Sequence, residues 1–370
     1  MLEKDLSLDE KKAIAKGDFR EVVAEFNLES SESFSSRFQK MQGMDHGPNH
    51  REGDPAIHTQ LVEFELNQYL QTQEHGLSEH DQRLLRLAVA IHDLAKADTQ
   101  KFDVASNAQR ETLKTGGIEI DESQVKSADD LIKSILTKLS GQDVSDLSKS
   151  KLIKLKDEYR DALQAELIVA KSANPEKYPA LLANFRDHDQ EGAKLVETIV
   201  KEAGIQLTDE ENEDLKFIVE NHMDFLDPGK LTLDGFRKLF VRDGVVDARR
   251  IELIKIHAYA DDKGTHKPRK AGEASLLQRI DENVERLKNE YAVALKKEKK
   301  EVNVRLLIGA VLPEGMEAFL VSKGIVKGPN FGKAAGQVRE LVTKNVGEDF
   351  DIQAVDVGSI RSQIDSLKFE

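Results

Sequence analysis

LAVAIHDLAKADT, from Leu87 to Thr99, is the stretch whose reading decides the fold. With Leu84 and Leu85 ahead of it, Ala88 and Ile91 recur at three- and four-residue steps, which predicts a buried helix. Against that apolar face stand His92 and Asp93, side by side, and Lys96 one turn later. Each is costly to bury without a partner. A metal ion carrying a phosphate would satisfy all three.

Outward from this stretch, helical spacing dominates. In DPAIHTQLVEFELNQYLQ the apolar positions Ile57, Leu61 and Phe64 repeat the same steps. Alternating patterns are scarce, with short strands expected only around Thr115 to Ile120 and near the C-terminus. The chain therefore reads as all-α. Residues 1–45 form a helical lead-in broken by the serine-rich ESSESFSS, which reads as a loop or hinge. Residues 46–270 form the main domain. Within it, residues 99–182 read as an inserted helical subdomain, because Leu152, Leu155, Tyr159, Leu163 and Leu167 keep a helical rhythm. Residues 271–370 begin with a long helix whose narrow apolar seam is Leu277, Ile280, Val284, Leu287 and Tyr291. A helical C-terminal module follows, in which Pro329 is placed to open a helix.

Composition narrows the function. The 370 residues are 39% hydrophobic and 33% charged, as a chain with a sizeable core should be. A formal charge of −14 argues against a general nucleic-acid coat, which needs a cationic surface. The absence of cysteine excludes disulfides, thiolate metal sites and cysteine nucleophiles. Any metal must be held by nitrogen and oxygen. MLEKDLSLDEKK carries no apolar run of the signal-peptide kind, and no segment approaches the roughly 20 apolar residues of a membrane span. A cytoplasmic protein without a membrane partner is expected.

Of the ten histidines, His46, His75, His80 and His266 lie in polar stretches and read as solvated. His58, His92 and His222 fall on apolar helical faces, and His188 opens DHDQEGAKLVETIV. One core-facing histidine is more often a hydrogen-bonded core residue than a ligand; four, one of them beside Asp93, point the other way. Asp261 ends the apolar face of Ile254 and Ala258, where a carboxylate needs a partner. Four imidazoles and two carboxylates suit one or two first-row divalent ions: Mn, Fe, Ni, Co or Zn.

The order His58, His92-Asp93, Asp261 resembles the HD superfamily of metal-dependent phosphohydrolases, above all the HD region of bacterial CCA-adding tRNA nucleotidyltransferases. HREGDPAIHTQLV, LAVAIHDLAKADT, DHDQEGAKL with ENHMDF, and HAYADDKG are similar to successive family motifs, and SKGIVKGPNFGKAAGQVREL to the helical C-terminal piece. The likeness covers roughly residues 46–98 and 183–345. It implies an HD-domain helical bundle with a helical insertion and a C-terminal extension. The nucleotidyltransferase head of those enzymes has no counterpart, so CCA addition is not expected. Ala95 replaces the glycine of the HD-x-G-K motif, and the stretch between Asp93 and His188 is far longer than usual.

Carried over by position, His58, His92, Asp93 and Asp261 would hold a first ion, with Asp93 bridging to a second held by His188 and His222. Such ions give a metal-bound hydroxide near neutral pH. The catalytic residues implied are Asp93 and Lys96. Lys96 would also bind substrate by neutralising a phosphoryl oxygen, with Arg51 as a further substrate contact. Glu52 would orient a ligand, and His257 would lie either behind the ligands or at the surface. GPNFGK is too short between its glycines, and lacks the Ser or Thr, for a P-loop.

The expected function is a metal-dependent phosphohydrolase, a phosphomonoesterase or phosphodiesterase, acting on a nucleotide, a 2′,3′-cyclic phosphate or another small phosphoester. The alternative is an HD-fold regulatory module that binds tRNA or a nucleotide without turnover. A third reading is a metal-stabilised scaffold whose insertion binds a protein.

Overall fold

The structure is a computed structural model and describes residues 6–47, 50–115, 117–265, 274–346 and 352–369. It is all-α. The chain divides into two compact units, one of residues 1–231 and 239–283, the other of residues 232–238 and 284–370.

The first unit opens with α1 (Leu8–Glu25) and α2 (Glu32–Met41), followed by α3 (Pro55–Thr72), α4 (Glu79–Ile91) and the short α5 (Lys96–Thr99). Most of these starts are written locally. Ser7 and Glu10 cap α1 reciprocally, Ser78 and Asp81 cap α4 in the same way, and Asp54 caps α3 with Pro55 in its first turn. The serine-rich stretch expected to be a loop or hinge is mostly helical: Glu29 and Ser30 close a 3-10 turn, and Glu32 to Ser36 form the first turns of α2. Ser31 is the side-chain cap of α2, because its hydroxyl accepts from the Phe34 amide and starts the helix there.

The insertion starts at β1 (Lys101–Val104), runs through α6 (Asn107–Thr115), α7 (Glu122–Ser140), α8 (Lys149–Glu158) and α9 (Arg160–Ala173), and ends at β2 (Leu181–Asn184). The two strands pair antiparallel, Lys101 against Asn184 and Val104 against Leu181. Between them Ala128, Leu136, Val144, Leu163 and Leu167 build a separate apolar cluster. Among the described residues of Thr115 to Ile120, where a short strand was expected, there is none: α6 runs through Thr115, and residues 118–120 are irregular. A strand needs a paired edge; Ile120 is instead buried against the insertion helices.

Then come α10 (His188–Ala203), α11 (Asp209–Asn221), α12 (Leu233–Phe240), the two-residue strands β3 (Val241–Arg242) and β4 (Val245–Val246), and α13 (Ala248–Gly264). α3 lies against both α1 and α13 and buries Leu61, Val62 and Leu66. Gly264 lets α13 approach α3, since a Cβ there would stand 2.8 Å from Val62 Cγ2 and 3.0 Å from its backbone nitrogen.

α14 (Leu276–Val311) is 36 residues long; of its predicted seam residues Ile280, Val284, Leu287 and Tyr291 are buried, whereas Leu277 is half-buried and its neighbour Leu276 is buried instead. α15 (Met316–Ser322), α16 (Pro329–Lys344) and α17 (Val357–Asp365) follow. The second unit's core gathers Leu307, Phe319, Leu320, Val338, Val342 and Ile364. Its described C-terminal residues are helical or irregular, without the strand expected there. No helix among the described residues is long and apolar enough to cross a membrane.

Candidate metal centre

His92 does not lie within a helix, as its spacing predicts, but at the end of one. α4 stops at Ile91, and His92 Nδ1 donates to the Val89 carbonyl at 2.8 Å. That carbonyl is the one the amide of Asp93 would take in a continuing helix, so the side chain competes with the backbone. The chain turns tightly through Leu94, and Lys96 opens α5. His222, at the end of α11, repeats the arrangement with Nδ1 on the Val219 carbonyl at 2.7 Å. His188 begins α10 after Asp187, whose left-handed backbone (φ 62°) makes the turn, and donates Nδ1 to the Phe185 carbonyl at 2.7 Å.

A carbonyl only accepts, so in all three rings Nδ1 carries the proton and Nε2 presents a lone pair. Those lone pairs converge. His188 Nε2 and His222 Nε2 are 3.2 Å apart, and lie 3.3 and 3.9 Å from Asp93 Oδ1. On the other side of the same carboxylate, His92 Nε2 is 3.3 Å and His58 Nε2 3.8 Å from Asp93 Oδ2. His58 Nε2 also lies 2.9 Å from Asp261 Oδ1. All six residues are buried.

The result is two triads, His58–His92–Asp261 and Asp93–His188–His222, each with ligand atoms within 4.8 Å of one another. Asp93 turns one oxygen towards each. Lone pairs facing lone pairs and carboxylates repel unless a cation stands between them. His92 Nε2 and Asp93 Oδ1, both buried, have no hydrogen-bond partner among the described residues. The donor set therefore fits one or two divalent ions of the imidazole- and carboxylate-binding kind. His58 Nδ1 bonds Glu52 Oε1 at 3.1 Å, and a ligating ring held from behind by a carboxylate or carbonyl is the usual support of such an ion.

The electrostatics agree. Burial opposes the charged form of Asp93, but His92 and Lys96 hold its carboxyl well below the usual range. Burial likewise opposes the charge on Asp261, and the bond from His58 outweighs it. Burial alone would lower His58; its bonds to Asp261 and Glu52 push it up to about 9. The carboxylates that favour a proton on His58 favour a cation in its place. Burial, then the neighbouring His188 and His92, keep His222 far below its ordinary value and hence neutral.

Lys96 is buried, its Nζ 2.7 Å from Asp93 Oδ2 and 2.8 Å from His46 Nε2. Arg51 is exposed, whereas Glu52 is fully buried and accepts from both His50 and His58. His257 is fully buried with its ring 5.2 Å from that of His92; neither nitrogen has a partner among the described residues, and burial lowers it to about 3.

Of the histidines read as solvated, His80 is exposed on Glu211, His75 is half-buried on the Leu70 carbonyl, and His266 lies outside the described residues. His46 is a correction: only 5% exposed, it stacks on His50 with ring centroids 3.5 Å apart. With Glu52 these two form a third cluster of ligand-type atoms. The available signal was two histidines four residues apart in a glycine-containing loop just ahead of His58.

Comparison with protein-family models, with curated proteins and with solved structures gives no match.

Proposed function

We propose that this chain is a metal-dependent phosphohydrolase of the HD type, cytoplasmic, acting on a small phosphoester such as a nucleotide or a 2′,3′-cyclic phosphate. The observation that carries the reading is Asp93: its two oxygens face two histidine triads while its neighbour Lys96 stands beside them. His58, His92 and Asp261 would hold one ion and His188 with His222 a second, Asp93 reaching both. When bound, such ions polarise phosphoryl oxygens and acidify water towards neutral pH.

The chain's own groups do the rest. The carbonyls of Val89, Phe185 and Val219 orient three rings, and Glu52 orients the fourth. The Lys96 ammonium, fixed between Asp93 and His46, offsets charge on a phosphoryl oxygen. Phe185 lies over it, its ring centroid 5.5 Å from Nζ, and shields that charge from water.

Elemental analysis of untreated protein should find a divalent transition metal. Protein supplemented with Mn, Ni or Co should hydrolyse p-nitrophenyl phosphate or its bis ester. His92→Ala and Asp93→Ala should each lower turnover by about 10³-fold or more, equivalent to roughly 4 kcal/mol of transition-state stabilisation, with the far-UV helical signal intact. Turnover surviving both substitutions would overturn the proposal.

A further inference from the structure

The insertion between Asp93 and His188 carries a cavity of its own. It measures about 910 Å³, within the roughly 300–1,000 Å³ usual for small-molecule sites. β1 and the end of β2 form one wall, α7, α8 and α9 the others, and none of the candidate metal ligands lines it. Gln164 ties two of these walls together: its Oε1 accepts from the Phe102 amide at 2.7 Å, and its Nε2 donates to the Phe102 carbonyl at 3.2 Å. Where β2 leads back to the metal centre, Phe185 lies over Lys96, whereas Asn184, Arg186 and Asp187 line the cavity. The cavity and the metal centre share a segment but no side chain.

One side of the cavity is apolar. Phe102, Ile132, Leu163 and Leu167 reach it from the insertion's core, and Ile153 on α8, 51% exposed, stands beside them. The rest is charged. The two-residue period of β1 puts Lys101 and Asp103 on one face. Asp103 is already taken, accepting from Asn184 Nδ2 at 2.8 Å and pairing with Arg186 at 3.4 Å. On α8, Asp157 is taken by Arg160 at 2.8 Å. Lys101 and Lys156 are left without an ion pair among the described residues, and so are Asp129 and Asp187.

These groups select an occupant. A bare polyanion would leave the apolar side uncovered and meet Asp129 and Asp187 with repulsion. An apolar ligand would strip water from two ammonium groups and replace it with nothing. A nucleoside phosphate carries what each side asks for: a flat base for Ile153 and the apolar side, phosphate for Lys101 and Lys156, and hydroxyl donors for the carboxylates. We infer that the insertion binds a nucleotide in this cavity, at a site separate from the metal centre. The inference goes beyond the phosphohydrolase reading and does not need it, since no group of the centre takes part.

Isothermal titration calorimetry of the full chain, with ADP as probe, tests it. ADP should bind, with adenosine and pyrophosphate each about tenfold weaker or more. Lys101→Met combined with Lys156→Met keeps the stems and removes the charges; ADP affinity should fall about tenfold, equivalent to 1.4 kcal/mol. Lys154→Met, exposed on α8 and outside the cavity, is the control and should leave the affinity unchanged. Asp93→Ala, which breaks the metal centre, should leave ADP bound as tightly as in the parent. A parent that binds no ADP, or binds pyrophosphate as tightly, would overturn the inference and leave hydrolysis of p-nitrophenyl phosphate to decide the phosphohydrolase reading. ADP binding lost in Asp93→Ala but kept in the lysine variant would also overturn it, by placing the nucleotide at the metal centre.

Discussion

Three of the four candidate imidazole ligands share one local device, a bond from Nδ1 to the carbonyl three residues back. It needs nothing beyond the residue's own segment, so the tautomer is set by local backbone. His58 is the exception. It sits in the first turns of α3, where the corresponding carbonyl of Pro55 is taken by the Thr59 hydroxyl at 3.0 Å. Glu52 supplies the missing acceptor, and holds His50 with the same oxygen at 2.7 Å. Burial opposes the Glu52 charge, but these two bonds keep its carboxyl below the usual range. Glu52→Gln removes the charge while keeping the shape. Metal affinity, measured by competition with a chromophoric chelator, should fall about 10- to 100-fold. An unchanged affinity would make Glu52 a bystander.

At the scale of elements, the contact between α3 and α13 decides whether His58 meets Asp261, 2.9 Å apart across it. At Gly264 the backbone of α13 lies close against that of α3 at Val62. A methyl group there would stand 3.2 Å from Val62 Cα as well as 3.0 Å from its nitrogen, and backbone does not swing aside as a side chain does. Gly264→Ala should therefore cost about 1–3 kcal/mol in urea unfolding and weaken metal binding with it. Gly309, within α14 and with nothing within 4 Å of an added methyl group, is the control: alanine there should stabilise by up to about 1 kcal/mol. A Gly264→Ala protein as stable as the parent would show that the two helices have slack between them.

At the scale of the whole molecule, the six candidate ligands come from α3, the end of α4, the start of α10, the end of α11 and α13, with the insertion lying between Asp93 and His188. The unfolded chain holds no such cage. An ion bound at 100 times its dissociation constant therefore stabilises the folded state by about 2.7 kcal/mol. Dialysis against EDTA should lower the thermal midpoint and Mn should restore it. Identical midpoints with and without chelator would mean that no ion occupies the cage in solution.

The helices and most of their starting points were legible from the chain alone. Apolar period, capping side chains and first-turn prolines act over four residues or fewer, and Ser7, Asp54, Ser78 and Thr208 cap where such residues should. The candidate ligands were legible for a related reason: a histidine or aspartate on an apolar face declares a need for a partner wherever that partner comes from. Tertiary structure alone decided the rest. Lys101–Val104 becomes a strand because Leu181–Asn184 returns beside it. His46 looks solvated in GMDHGPNH and is buried because His50 stacks on its ring and Lys96, from α5, closes on its edge. Local spacing records what a side chain needs; which distant group meets that need depends on how the helices assemble, and no period in the chain encodes it.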